Sequence, residues 1–137
     1  HAQGMLSEKR SVMLQPYLSR VDEHGETALI YFEGQFSHAI RKGPLLKRKE
    51  GPTQDLFAKE TITARVPDAA ELRVGARAMQ ALPFETPLYA RVDLIRDEKG
   101  EPVVLELELI EPSLFFPFAG GSAERFAAAV LKRAGSA

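Results

Sequence analysis

Hydrophobic and polar positions change period along this chain in a way that separates strands from helices. Thr27–Phe32 and Gln35–Arg41 are rich in β-branched, aromatic and aliphatic residues and flank Glu33-Gly34. A glycine at such a junction supplies the positive φ of a tight hairpin turn. Glu60–Val66 (ETITARV) alternates and reads as a further strand. Pro87–Arg96 and Pro102–Ile110 alternate on either side of Asp97-Glu98-Lys99-Gly100, which predicts a second hairpin. After Pro67 the period becomes helical. Asp68 and Glu71 have capping-box spacing, Leu72, Ala76 and Met79 share a face, and the helix stops at Leu82 before Pro83. A last helix is capped by Ser122, turns Ala123, Phe126, Val130 and Leu131 inward, and closes at Gly135.

The remaining segments are less regular. Residues 2–10 read as the end of a helix, Val12–Leu18 as a short strand or extended segment broken by Pro16, and Ser19–Gly25 as a polar loop. Gly43–Lys59 reads as a long mobile loop, and Glu111–Gly121 as an apolar irregular stretch. No repeat or linker divides the chain. The expected fold is α+β, a single domain over 1–137 with a core at 12–134, its mainly antiparallel sheet carrying helices on one face.

Composition narrows the chemistry. At 137 residues, with 45% hydrophobic and 27% charged, the chain has the make-up of one globular domain. It contains no Cys and no Asn, which excludes disulfides, thiolate metal sites, Cys nucleophiles and N-glycosylation. No apolar run reaches the ~18–20 residues of a membrane span and no leader pattern stands at the start, so the expectation is a cytoplasmic protein without membrane contact. The net charge of −1 argues against nucleic acid as a partner. That near-neutrality hides a basic run, Arg41, Lys42, Lys47, Arg48 and Lys49, and an acidic one, Glu101, Glu106, Glu108, Glu111 and Glu124. Charge runs are usually solvated faces. Glu106 and Glu108, however, alternate with leucines inside a strand.

Strand register turns this into a candidate site. Leu88, Ala90, Val92 and Leu94 share one face, and Tyr89, Arg91, Asp93 and Ile95 the other. In the partner strand Val103, Leu105, Leu107 and Leu109 oppose Val104, Glu106, Glu108 and Ile110. Matching the apolar faces through a two-residue turn at Lys99-Gly100 pairs Glu98 with Glu101, Asp93 with Glu106, and Arg91 with Glu108. A three-residue loop would set Leu105 against Asp93, which the hydrophobic pattern forbids. Three carboxylates and one guanidinium then converge. Like charges directly opposite destabilise a sheet, and a hard divalent cation relieves them. The competing reading is a surface ladder in which Arg91 simply neutralises Glu108.

The stretch Pro87-Leu88-Tyr89-Ala90-Arg91-Val92-Asp93 followed by Leu105-Glu106-Leu107-Glu108-Leu109-Ile110-Glu111-Pro112-Ser113 resembles the C-terminal metal-binding segment of ATP-grasp ligases of the glutathione synthetase type. The resemblance implies that Asp93, Glu106 and Glu108 hold Mg²⁺, or Mn²⁺, against ATP phosphates, with Arg91 as a phosphate contact. Glu108 departs from the Asn usual in that family and adds a charge. Val12–Leu18 resembles the hinge that meets adenine, implying contacts from Gln15, Tyr17 and Leu18. Glu26 is similar in place to the ribose-contacting acid. Ser37–Pro44 resembles the strand that ends in a cation near the phosphates, with Lys42 the better fit and Arg41 the second, and the basic loop after it resembles the segment that closes over the site.

The function this implies is an ATP- and Mg-dependent carboxylate–amine ligase working through an acyl phosphate on small carboxylate and amine substrates. This chain would be its C-terminal fragment, with the N-terminal domains of the same polypeptide absent and the fragment inactive alone. A non-catalytic nucleotide-binding or docking module of the same fold is the alternative, and a metal-dependent phosphohydrolase a third class. His24 and His38 have no ligand spacing and read as solvent-exposed or hairpin histidines. Gly120-Gly121-Ser122 reads as a helix cap rather than a nucleophile elbow. Phe115, Phe116 and Phe118 read as core or as a surface for the missing domains, in which case exposure predicts a homodimer or poor solubility.

Overall fold

The computed structural model describes residues 2–43 and 61–135. The expected loop over Gly43–Lys59, with Lys47, Arg48 and Lys49, lies almost wholly outside the described residues. Five strands, β1 (Glu26–Phe32), β2 (Gln35–Lys42), β3 (Ile62–Arg65), β4 (Tyr89–Arg96) and β5 (Pro102–Glu108), form one sheet in the order β3-β2-β1-β4-β5. Every neighbouring pair is antiparallel. The helices are α1 (Ala2–Ser7), α2 (Val21–His24), α3 (Ala69–Gln80) and α4 (Ser122–Ala134), with a 3₁₀ turn at Phe116–Phe118.

Both faces of the sheet are covered, where one was expected. Leu29, Tyr31, Ala39, Ala90, Val92 and Leu94 pack with Val74, Ala78 and Met79 of α3. Ala28, Ile30, Phe32 and Ile40 pack on the opposite face with Phe126 and Ala129 of α4 and with Phe115, Phe116 and Phe118. The physical reason lies in β1, whose residues from Thr27 to Phe32 are all buried, so a single layer of helices would leave half of an apolar central strand in water. The helix starts differ too. Asp68 caps α3 with the full capping box, but Gly121, at φ +73°, precedes α4, and the Ser122 hydroxyl turns back to donate to the Phe116 and Ala119 carbonyls. Along α4, Phe126 and Ala129 face the core, while Leu131 is 73% exposed and Val130 39%. Val12–Leu18 joins no sheet, and the polar loop contains the single turn α2.

Two bulges decide which residues share a face. Glu33 and Gly34, both at positive φ, make the first two-residue turn. Pairing then shifts by one residue between Ile30 and Tyr31, leaving Ser37 as the extra residue of β2. In the second hairpin the loop has three residues, since the Asp97 amide donates to the Glu101 carbonyl at 2.9 Å. Glu98 therefore does not pair with Glu101. Leu94 opposes Val104, and Asp93 opposes Glu106, so Leu105 is the bulged residue that restores the expected register beyond it.

Gly75 lets α3 approach β1 closely: a Cβ there would lie 2.4 Å from both Leu29 Cδ1 and Tyr31 Oη. Gly75→Ala is therefore expected to cost roughly 1–3 kcal/mol through overpacking, despite its better helix propensity, in urea unfolding. A neutral or stabilising result would show that α3 can move outward freely.

Candidate functional site

Beyond the part of the sheet that α4 covers, side chains from four strands build a chain of charges on that same face. Asp93, fully buried, accepts from Arg91 Nε at 2.9 Å and Nη2 at 3.0 Å, and from Lys42 Nζ at 2.6 Å. Lys42 also reaches Glu26 at 3.0 Å, and Arg91 pairs with Glu108. The β4–β5 register sets Glu106 opposite Asp93. One oxygen from each of Asp93, Glu106 and Glu108 lies within 4.8 Å of the others. Burial pulls the Lys42 pKa down, but the Asp93 and Glu26 carboxylates outweigh it, so the ammonium is held above the ordinary lysine value. Burial pushes the Glu108 carboxyl up, and the Glu106 and Asp93 charges add to it, against the pull of Arg91.

This donor set fits a hard divalent cation. Among the described residues four acids, Glu26, Asp93, Glu106 and Glu108, face two cations, Lys42 and Arg91, an excess of two negative charges. Among the described residues no hydrogen bond or ion pair engages Glu106, so its oxygens can coordinate without first losing a partner. Oxygen ligands in excess, partly open to solvent, suit Mg²⁺.

The other expected contacts divide. Gln15 and Leu18 line a groove of about 160 Å³ with Ile95, Val103 and Leu105. Ile95 stands two residues from Asp93 on the same face, so an apolar groove adjoins the acid cluster. The Tyr17 hydroxyl donates to Asp22 at 2.6 Å. Arg41 stands apart from the acid cluster. The Ser37 bulge turns it to the α3 face, where it donates to the His24 and Glu23 carbonyls at 2.6 and 3.0 Å and so caps α2. Gly25 explains how tightly this corner is built: it takes φ +66°, and a Cβ would meet the Lys42 carbonyl oxygen at 2.1 Å.

No family model matches the chain. The cycloserine biosynthesis protein DcsG of Streptomyces lavendulae is 42% identical over 142 aligned residues, covering 97% of this chain and 46% of that protein. The chain thus spans about half the length of this curated relative. The crystal structure of D-cycloserine synthetase DcsG superposes with a TM-score of 0.74 at 41% identity, over 87% of this chain and 41% of that one. The ATP-grasp ligase PsnB, complexed with minimal precursor, Mg and ADP, superposes with a TM-score of 0.52 at 16% identity, over 77% of this chain and 32% of that one. The chain has the ATP-grasp fold.

Within this ATP-grasp sheet, sequence reasoning missed the link from Lys42 to both Glu26 and Asp93. The two-residue turn alone would pair Glu26 with Arg41. Only the bulge, which leaves no mark in the hydrophobic pattern of β2, exchanges the two cations. Sequence reasoning also gave His38 no role in the site. It sits in the β1–β2 hairpin as expected, but buried, and bonded to the segment that follows the acidic strand.

Proposed function

We propose that this chain is the nucleotide- and magnesium-binding part of an ATP-dependent carboxylate–amine ligase acting in the cytoplasm. In the reaction, a substrate carboxylate oxygen takes the γ-phosphoryl of ATP with departure of ADP. An amine then displaces phosphate from the acyl carbon and releases its proton. Asp93, Glu106 and Glu108 would hold Mg²⁺, with Mn²⁺ as the substitute ion. When bound, the ion neutralises phosphate charge that the anionic cluster would otherwise repel. Lys42 and Arg91 are fixed cations beside it, preorganised by Asp93 to stabilise charge on the transferred phosphoryl. Gln15, Tyr17 and Leu18 would meet adenine beside the apolar groove, and Glu26 the ribose.

The single observation carrying this reading is the meeting of Asp93, Glu106 and Glu108 with Lys42 and Arg91 on one open sheet face. The likeness to a D-cycloserine synthetase supports a small-molecule substrate. The remaining walls of the cleft would come from further domains of the ligase, or from a second copy of the chain.

Titrating ATP into the chain with Mg²⁺, and again with the metal chelated, tests the reading. Magnesium-dependent binding and an upward shift in Tm are expected, because a ligand that binds only the folded state stabilises it. Equal heats with and without Mg²⁺ would remove the metal assignment. Binding without ADP formation by a longer polypeptide carrying this chain, given carboxylate and amine mixtures, would favour the non-catalytic module.

A further inference from the structure

We propose that His38 is a positioning residue for the acid cluster, acting through Leu114 and Phe115 on Arg91. The proposal rests on the nucleotide-binding reading above. The Ser37 bulge sets Phe36 opposite Tyr31 and turns His38 to the other face, opposite Ile30. There a directed relay fixes its ring. The Leu114 carbonyl can only accept, so Nε2, 2.8 Å away, carries the ring proton and donates to it. Nδ1 of the neutral ring then accepts from the Ser37 hydroxyl at 2.9 Å, and Ser37 Oγ in turn accepts from Arg125 Nε at 3.0 Å. Burial lowers the His38 pKa, and the Arg125 charge adds to this against the Leu114 bond, consistent with a neutral ring.

What the relay holds is a strained turn. Phe115 has φ +51°, a left-handed conformation that a bulky residue adopts only where its surroundings over-determine it. The carbonyls on both sides are tied down, Leu114 by His38 and Phe116 by the Ser122 hydroxyl at 3.1 Å. The Phe115 ring lies under the Arg91 guanidinium, 5.7 Å from centroid to Cζ, and Arg91 Nη1 reaches the Ser113 carbonyl at 3.5 Å. Arg91 is thus held both by the turn and by Asp93 and Glu108. Freeing the Leu114 carbonyl would let the strained turn relax and withdraw the surface on which Arg91 is seated.

Two substitutions in the full chain test this. His38→Phe keeps a ring beside Phe32, which the imidazole faces at 6.1 Å, but donates nothing. His38→Gln keeps an N–H donor of similar reach. The readouts are amide hydrogen exchange over residues 113–116, exchange of the Arg91 Nε–H, and Mg-ADP binding by calorimetry. His38→Phe is expected to fold, to speed exchange at both places by about tenfold, and to weaken Mg-ADP by about tenfold. His38→Gln is expected to restore all three to near the parent values. Unchanged Arg91 exchange in His38→Phe, or a Gln variant no better than Phe, overturns the proposal and leaves His38 as packing. Should the parent chain fail to bind Mg-ADP, the nucleotide-binding reading falls, and Arg91 exchange still decides the role of His38.

Discussion

Glu106→Gln is expected to leave the fold intact while removing magnesium-dependent nucleotide binding. Among the described residues Glu106 has no ion pair or hydrogen bond to lose, in contrast to Asp93 and Glu108, which are already engaged by Arg91. Its replacement by an isosteric amide also relieves repulsion opposite Asp93, so urea unfolding should show a change within about 0.5 kcal/mol in either direction. For binding the same change is severe. Mutation of partners outside a metal's own ligands typically costs 10–100-fold in affinity, so loss of a ligand should weaken Mg-ATP by about 100-fold. In a longer polypeptide carrying this chain, ADP formation should fall on the order of 10²–10³-fold, as when one preorganised electrostatic group is removed. Near-parental turnover would sink the ligase assignment. A large stability loss instead would mean that Glu106 is structural.

The parts of this molecule that were legible in its sequence are those that hydrophobic period controls. The two hairpins, α3 with its capping box, and the meeting of Asp93 with Glu106 and of Arg91 with Glu108 follow from alternation and one capping signal. The bulges were not legible. Ser37 and Leu105 each insert one residue, and an insertion leaves the alternation readable on either side while reversing the face between. In the second hairpin two departures cancel. The three-residue loop shifts the register one way and the Leu105 bulge restores it before Asp93, so the expected acid pairing stands although the expected turn does not. In the first hairpin nothing cancels. The bulge carries Lys42 into the site and Arg41 out to cap α2. The second helical layer was hidden for a related reason: the apolar run of β1 shows that both faces are buried, but not what buries the second one.

Asp93→Asn is expected to be among the most destabilising single changes in the chain. Asp93 has no solvent exposure, and three N–H donors from two cations converge on it. The amide keeps the shape but removes the charge. It offers one acceptor oxygen in place of two and turns an NH₂ group toward a cation. The Lys42 and Arg91 side chains are only 11% and 7% exposed, so water cannot replace the lost counter-ion. Removing one partner of a buried pair typically costs about 3–5 kcal/mol, mostly as the penalty on the charge left behind. That is a large share of the ~5–15 kcal/mol by which a domain is stable, and it should appear as a lower urea midpoint at unchanged m-value. Of the described acids left to compensate, Glu26 and Glu108 each already serve one of the same two cations, and Glu106 acts on Arg91 through its charge without a direct ion pair. A double-mutant cycle identifies the origin of the loss. Combining Asp93→Asn with Lys42→Met removes one of the stranded charges, so the pair should cost clearly less than the sum of its members. Additive losses, or a single-mutant cost below about 1 kcal/mol, would mean that Glu26 and Glu108 neutralise the cations by themselves and that Asp93 is free to serve a metal alone.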